Sequence, residues 1–584
     1  MSPRTRIWIP WFALCSAYFW GPAFSLHAPA ESLSAIVVVT LAGLFTWALQ
    51  RISTQNRSHT ELANEPNQAN GMRALTLGTL FASALANCGA MAWMHAAYAN
   101  TDLWSATATI MGEPRVALPF TAWSSAIIGV LAGILFFLLL RVARLRLLFI
   151  LSASYVFYAH WDYRFLPLIF GSSTIDYWLG LKIGRTEDPK ARKRWLWLTV
   201  FVNLGVLAYF KYIDFGIESA KIAFAELGVD LPLNALEIAL PVGISFFTFE
   251  SMSYVIDVYR RQLPPHRSYL EYLSFVAFFP HLVAGPIVRP SDLLPQLSGP
   301  ARWNPKAASE GLYLIAWGLL KKVAIGDYLA VNLIDRVFDA PASYSSLECY
   351  VAAISYSVQI YCDFSGYTDV AIGSALLLGI RFPLNFNAPY KAHDIQDFWR
   401  RWHISLSTWL RDYLYIPLGG NRKGKARTYI NLMATMLLGG LWHGASWTFV
   451  VWGGMHGAAL AANRAWGRGR TPSRWGKLLG VVLTFHFVCV TWIFFRSDSF
   501  SHAYLMLTQL GQLTTHAVNL HNPVLAVLAL GLGTHFVPER WFQNAKNAFI
   551  AAPTPAQGFV LCCAAFVLRE MISAEAVPFV YFQF

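Results

Sequence analysis

Apolar runs long enough to cross a lipid bilayer recur along this chain, separated by short loops rich in arginine. That alternation leaves few ways to fold. Runs at 7–26, 34–50, 74–98 and 116–140 come close to or exceed the roughly 20 residues a membrane-spanning helix needs. Two shorter runs follow between Leu147 and Leu181. Two more, at 195–212 and 238–256, enclose a loop holding Asp214, Glu218, Glu226 and Asp230 against Lys221. Arg4 and Arg6 precede the first run, and each later pair of runs is followed by an arginine-containing loop: 51–73, Arg141 to Arg146, Arg185 to Arg194, and Arg260 to Arg267. Each pair of crossings returns the chain to a basic loop, as the positive-inside rule demands of a protein with a cytoplasmic N-terminus.

Composition excludes the competing classes. Only 13% of the 584 residues are charged and 56% are hydrophobic, whereas a soluble domain carries about 25% charged residues. The mean hydropathy is +0.42. The expected class is therefore all-α, a polytopic multi-helix protein of the membrane, whose first partner is the lipid bilayer. The net charge of +13 does not form one face, since its residues, with Arg422 to Arg427 and Arg464 to Arg474, sit in loops. No nucleic-acid partner is expected. Seven cysteines without a CxxC pair imply neither a disulfide framework nor a thiolate metal site. The basic start before the first run looks like a signal peptide, but a second run follows at once, so a retained helix is the expectation.

Beyond residue 269 the regularity stops. Segments 269–290 and 385–420 mix apolar residues with Pro, Gly, His, Arg and Asp. Irregular backbone at membrane depth persists only when buried in protein or lining a wet cavity. Residues 240–460 are thus expected to form a functional core with re-entrant segments. After Arg474 the runs 475–497, 521–537 and 556–572 read as ordinary helices.

Ionisable side chains at membrane depth are costly, and they are functional candidates by default. His443 stands in Met436-Leu-Leu-Gly-Gly-Leu-Trp-His443-Gly-Ala-Ser-Trp447. There Gly439, Gly440 and Gly444 permit close backbone approach and Trp442 supplies bulk. Its bland alternative is a buried histidine hydrogen-bonded to a neighbouring helix. Upstream, His403 stands in Trp399-Arg-Arg-Trp-His403-Ile-Ser-Leu-Ser. Phased at 100° per residue, Trp399, Trp402, Leu406, Trp409, Leu410 and Tyr413 share one helical face. His403 lies at its edge, beside a polar stripe of Arg400, Ser407 and Arg411. Such a helix suits an interface or a cavity wall, and the bland alternative is a membrane-surface helix whose histidine meets headgroups.

Four weaker candidates lie nearby. His281 sits in a segment broken by Pro280 and Pro286, where it either lines the same cavity or satisfies freed carbonyls. Asp363 and Asp369, in Tyr361-Cys-Asp-Phe-Ser-Gly-Tyr367-Thr-Asp369, can cap, pair or orient a histidine or arginine. His456 lies between Gly453 and Gly457, a GxxxG spacing that helix packing explains. Two enzyme motifs nearly match and fail. Gly419 to Lys425 fits GxxxxGK, but Ala426 replaces the hydroxyl residue and no strand precedes it. Gly444-Ala-Ser446-Trp-Thr448 lacks the final glycine of a nucleophile elbow.

From about Val116 to Arg496 the chain resembles the membrane-bound O-acyltransferase superfamily, most of all the membrane subunit of bacterial alginate O-acetyltransferases. The resemblance is carried by Ala153-Ser-Tyr-Val-Phe-Tyr158, Leu240-Pro-Val-Gly-Ile-Ser-Phe246, Tyr254-Val-Ile-Asp-Val-Tyr-Arg260 and Phe279-Pro-His-Leu-Val-Ala-Gly-Pro286. It continues in Asp363-Phe-Ser-Gly-Tyr367, Phe398 to Tyr415 and Leu438-Gly-Gly-Leu-Trp-His-Gly-Ala445. It implies an all-α fold with a central funnel or tunnel, in which 116–497 is the catalytic membrane domain. Residues 1–115 add N-terminal helices with no assigned function, and 498–584 add C-terminal ones.

The resemblance makes His443 the catalytic histidine and His403 the second active-site position. It further implies transfer of an acetyl group from a cytoplasmic donor, acetyl-CoA, across the bacterial inner membrane. The acceptor is a periplasmic acetyltransferase or an exported polysaccharide, and no cofactor or metal is permanently bound. Histidine suits the work, because its ordinary pKa lies near operating pH. His443 is expected to be the base for the acceptor hydroxyl, or else a transient acyl carrier. His403 would orient or polarise the donor carbonyl, or polarise the donor's phosphopantetheine arm. Arg400, Arg401, Arg411, Arg422, Lys423 and Arg427 would attract donor phosphates, although topology alone also explains them. Ser407, Trp442, Asp363, Tyr367 and His281 complete the expected substrate contacts. A transporter or flippase for an acyl or lipid-linked precursor is the competing class. Many transporters carry repeated halves, and none is visible here.

Overall fold

The computed structural model describes residues 143–299, 304–466, 473–571 and Phe579. The runs at 7–26, 34–50, 74–98 and 116–140, the N-terminal orientation and all of 1–115 lie outside the described residues. Within them every regular element is helical and no strand occurs, in accord with the all-α expectation.

The two shorter early runs are α1, Ala143–Asp162, and α2, Leu166–Arg185. Asp162 ends the first, its carboxylate accepting from Arg164 N at 2.9 Å, and Pro167 opens the second, where a missing N–H costs nothing. Asp188 then caps α3, Pro189–Ala225, by accepting from Lys190 N at 3.1 Å and Ala191 N at 3.0 Å. Here the structure lengthens the expected run. Most of the basic loop 185–194 and the first acidic residues of the expected loop belong to one helix of 37 residues. Asp214, on that helix, accepts from Leu236 N at 2.6 Å and so pins the irregular stretch after it. A five-residue π-helical segment, Ala208–Tyr212, interrupts α3; such wide turns concentrate at functional sites.

α4, Ile244–Tyr259, is buried along almost its whole length. It starts at Gly243, whose φ is +74° and where an added Cβ would lie 2.2 Å from Leu282 O. No other residue fits there. The broken region follows as expected: α5, Tyr269–Ala277, α6, Phe279–Leu282, and α7, Pro290–Ser298. α8, Pro305–Leu319, runs on through π-helical turns to Asp339. α9, Ser346–Leu377, begins with a capping box between Ser345 and Glu348.

Gly318 and Gly366 let these last two helices touch backbone to backbone, since a Cβ on either would lie within 2.6 Å of the other's carbonyl oxygen. Around this crossing Lys322 pairs with Asp363 at 2.7 Å and Asp327 at 2.6 Å, and Lys321 pairs with Asp369 at 2.6 Å.

Two short helices come next, α10, Ile395–Trp399, and α11, Ile404–Trp409, the latter continuing as a π-turn to Tyr415. α12, Gly424–His443, and α13, Trp447–Trp466, then form a tight hairpin. A Cβ at Gly440 would meet Phe449 O at 2.2 Å, and one at Gly453 would meet Met436 O at 2.3 Å. The small residues around His443 and His456 thus serve helix packing. The rest is α14, Arg474–Arg496, α15, Phe500–Gly511, α16, Asn522–Phe536, α17, Glu539–Ala551, and α18, Thr554–Met571.

The chain groups into two compact units. One holds, among the described residues, 304–316 and 543–566, where Tyr313 packs on Phe549 at 5.6 Å and Lys546 pairs with Glu310 at 2.8 Å. The other holds the remaining described residues and every group considered below.

Among the described residues, α3 and α14 are long and apolar enough to cross a membrane by length and composition alone. Other helices of similar length carry polar residues that find partners inside the protein. On α2, for example, Asp176 accepts from Asn203 of α3 at 2.8 Å. Facing outward, Val156, Trp178, Trp197 and Phe201 are each 60% exposed or more, an apolar surface suited to lipid.

Candidate active site

His443 is the last residue of α12, and the chain leaves it in extended conformation at Gly444. A Cβ on Gly444 would strike the Phe449 ring at 2.1 Å, so the turn needs glycine. The His443 ring is buried among Trp442 at 5.0 Å, Trp452 at 5.1 Å and Phe495 at 5.5 Å between centroids. The His403 ring lies 6.5 Å away. The two histidines therefore share one apolar chamber, although the separation is too long for a direct N–H···N bond of about 3 Å.

The approach to His403 differs from the expected helix. Residues 399–413 are not one amphipathic helix: α10 ends at Trp399 and α11 begins at Ile404. The break falls at His403, whose φ of +42° puts a non-glycine residue in the left-handed region. Such strain persists where the surroundings over-determine it. The segment 385–387 does so here, as Ile404 N donates to Asn385 O at 2.9 Å and Asn387 N donates to Arg401 O at 2.9 Å. His403 is wholly buried, so it does not meet headgroups from a surface helix. Its ring packs edge-on against Phe364 of α9 at 4.7 Å.

The hydrogen bonds of His403 fix its tautomer. Asn385 Oδ1 accepts from Ser405 N at 3.1 Å, which only an oxygen can do. The same oxygen lies 3.2 Å from His403 Nδ1. With the Ser405 hydroxyl also donating to this oxygen at 2.8 Å, Nδ1–H is assigned as its third donor, and the neutral ring then carries its lone pair on Nε2. Nε2 is buried and has no hydrogen-bond partner among the described residues.

The other expected residues fall into three groups. Trp442 joins the chamber, lying 6.2 Å from His403 and stacking on Phe249 at 5.3 Å. Asp363 and Tyr367 lie on α9 but turn to Lys322, the tyrosine ring 5.7 Å from the ammonium. His281 is fully buried with both ring nitrogens engaged, by Glu250 Oε1 at 2.9 Å and Phe275 O at 3.1 Å. Asp363 and His281 thus each hold a charged partner of their own, Lys322 and Glu250. Arg401 pairs with Asp397 at 3.0 Å and Arg411 with Asp412 at 2.7 Å. Arg400 is exposed, as are Arg422, Lys423 and Arg427. Ser407 donates to Trp402 O at 3.3 Å. His456 is buried beside Trp452 and shares a hydrogen bond with Thr491 Oγ1 at 3.0 Å.

Two participants were missed in the sequence. Asn385 is one; its only signal is a position between Pro383 and Pro389 in an irregular stretch. Lys211 is the other. It reaches from the π-segment of α3 to Trp442 O at 2.6 Å and His443 O at 3.1 Å.

A broken all-α core that closes on two histidines fits the family comparison. The profile of the membrane-bound O-acyltransferase family matches residues 244–506, and the chain belongs to that family of polytopic membrane acyltransferases. It is 41% identical over 470 residues to a probable alginate O-acetylase AlgI of Pseudomonas putida, covering 76% of this chain and 95% of the relative. To the Pseudomonas aeruginosa protein of the same description it is 48% identical, over 62% of this chain and 69% of the other. To a peptidoglycan O-acetyltransferase of Helicobacter pylori it is 39% identical, over 62% and 72%.

Proposed function

We propose that this protein O-acetylates a polysaccharide exported across the bacterial inner membrane, taking acetyl from acetyl-CoA in the cytoplasm. The relatives named for alginate and peptidoglycan acetylation support the acceptor class. The observation that carries the chemistry is the histidine pair, two buried imidazoles 6.5 Å apart inside an aromatic wall.

In the proposed reaction the acceptor hydroxyl oxygen attacks the thioester carbonyl carbon. The C–O bond forms, the C–S bond breaks, and the hydroxyl proton passes through His443 to the leaving thiolate. His403 offers Nε2 as an acceptor. That suits an amide N–H of the donor's pantetheine arm and does not suit its carbonyl oxygen, so His403 orients the donor. The tryptophans and Phe495 exclude water that would otherwise hydrolyse the thioester. The exposed Arg400, Arg422, Lys423 and Arg427 draw the donor's phosphates toward the site. The acetyl group then reaches the polysaccharide directly or through a periplasmic acetyltransferase.

The test is the acetyl content of exported polysaccharide in a deletion strain complemented with wild type, His443→Ala or His403→Ala, each normalised to membrane-bound protein. His443→Ala is expected to lower acetylation by about 100-fold or more. Wild-type acetylation in that strain would remove His443 from the mechanism.

A further inference from the structure

An α-helix leaves its last four carbonyls without partners inside the helix. At membrane depth no water is at hand to satisfy them. The end of α12 meets this problem at the residue that matters most, because its final residue is His443. A left-handed glycine often closes such an end, but Gly444 is extended, with φ −155° and ψ +148°, and cannot do so. The carbonyls find their donors on another helix. Tyr212 Oη donates to Leu441 O at 2.9 Å. Lys211 Nζ donates to Trp442 O at 2.6 Å and to His443 O at 3.1 Å.

We propose that Lys211 and Tyr212 are positioning residues of the acyl-transfer site, clamping three successive carbonyls so that the end of α12 presents His443 to the reacting groups. Both lie in the π-helical segment Ala208–Tyr212. Its wider turn aims two consecutive side chains at one target. The segment thereby acquires a purpose, and so does the lysine at the end of the apolar run 195–212. His443 has its own backbone carbonyl inside the clamp, so releasing the clamp shifts the imidazole relative to donor and acceptor. Displacements of about 1 Å at a reacting group lower turnover by about 100-fold.

The inference rests on the reading of His443 as the acyl-transfer residue, and the test separates the two. Inverted membrane vesicles from the complemented strain carry the native acceptor and receive acetyl-CoA from outside. Thiol release is then measured per immunodetected molecule for wild type, His443→Ala, Lys211→Met, Lys211→Arg and Tyr212→Phe. Lys211→Met is expected to lower kcat by about 10–100-fold while KM for acetyl-CoA stays within about twofold. Lys211→Arg, which keeps charge and donors, is expected to recover most of the rate, and Tyr212→Phe to lose about three- to tenfold. Wild-type kcat in Lys211→Met overturns the clamp, and so does a loss confined to protein amount. If Lys211→Met fails to accumulate, Tyr212→Phe decides: an unchanged kcat per molecule overturns the proposal. Equal thiol release by wild type and His443→Ala would instead sink the acyl-transfer reading, and the clamp with it.

Discussion

Two regions of this molecule bury ionisable side chains, and they handle them in opposite ways. At the crossing of α8 and α9, Lys322 is held between Asp363 and Asp327, and Lys321 lies against Asp369 with Ser365 Oγ 2.9 Å away. Charge meets charge. In the histidine chamber, a step along α9 from Asp363 to Phe364 and across to His403, the walls are aromatic. There the Nε2 nitrogen is left without a partner among the described residues. Buried charges that are paired hold helices in register, whereas a buried nitrogen without a protein partner is free to meet a ligand or a water. The contrast separates architecture from chemistry more sharply than burial does, since Lys322 and Asp363 are as buried as the two histidines.

The largest effect expected from breaking this contrast is on the paired side. Lys322→Met would leave two carboxylates facing each other without their cation, a loss of about 3–5 kcal/mol for a buried pair. The expected outcome is a steep fall in membrane-bound protein and in its thermal tolerance in detergent, with turnover per surviving molecule unchanged. Normal abundance combined with lost turnover would move the ionic cluster into the active site. Asp363 and Tyr367 would move with it, as substrate contacts.

How much of this was legible beforehand follows from the reach of each interaction. The apolar face of 399–413 was legible in large part: Trp402, Leu406, Trp409, Leu410 and Tyr413 are buried and Trp399 is half-buried. The break at His403 was not, because a partner segment at 385–387 imposes it and no local propensity does. Asp363 and Asp369 could be read as pairing residues, but their lysines lie some forty residues upstream in an apolar stretch and drew no attention. Lys211 stands at the end of the apolar run 195–212. Its partners are carbonyls more than 230 residues on, and a carbonyl is the same in every residue, so no side chain at 441–443 announces the clamp. The meeting of His403 with His443 was expected only through the family resemblance; spacing and phase alone left both histidines with bland explanations.

A smaller effect tests whether the open nitrogen depends on its neighbour. Asn385→Leu removes the acceptor that fixes the His403 tautomer. Leaving a buried N–H without its acceptor costs about 1–3 kcal/mol, so thiol release is expected to fall by about 10–100-fold with KM for acetyl-CoA raised. Asn385→Asp keeps an oxygen for His403 Nδ1–H and for Ser405 N, and is expected to retain more activity than Asn385→Leu. Equal loss in the two variants would show that Asn385 matters only as a filler of space, and the tautomer argument would fall.

The smallest effect concerns charge that is neither paired nor buried. Arg400 is exposed one turn before His403, while its neighbour Arg401 is occupied by Asp397. An exposed cation acts over roughly a Debye length of 8–10 Å at ordinary ionic strength. It can raise the local concentration of an anionic donor without touching the reacting atoms. Arg400→Gln is therefore expected to raise KM for acetyl-CoA by about threefold at low salt and to leave kcat alone. The difference from wild type should vanish as salt approaches about 1 M, where the Debye length shrinks to about 3 Å. Arg401→Gln, tested beside it, is expected to change KM less, because the charge removed is already offset by Asp397. If Arg400→Gln lowered kcat at every salt concentration, the arginine would belong with the histidines as part of the reacting site, and the division between held charges and working groups would no longer follow burial and pairing.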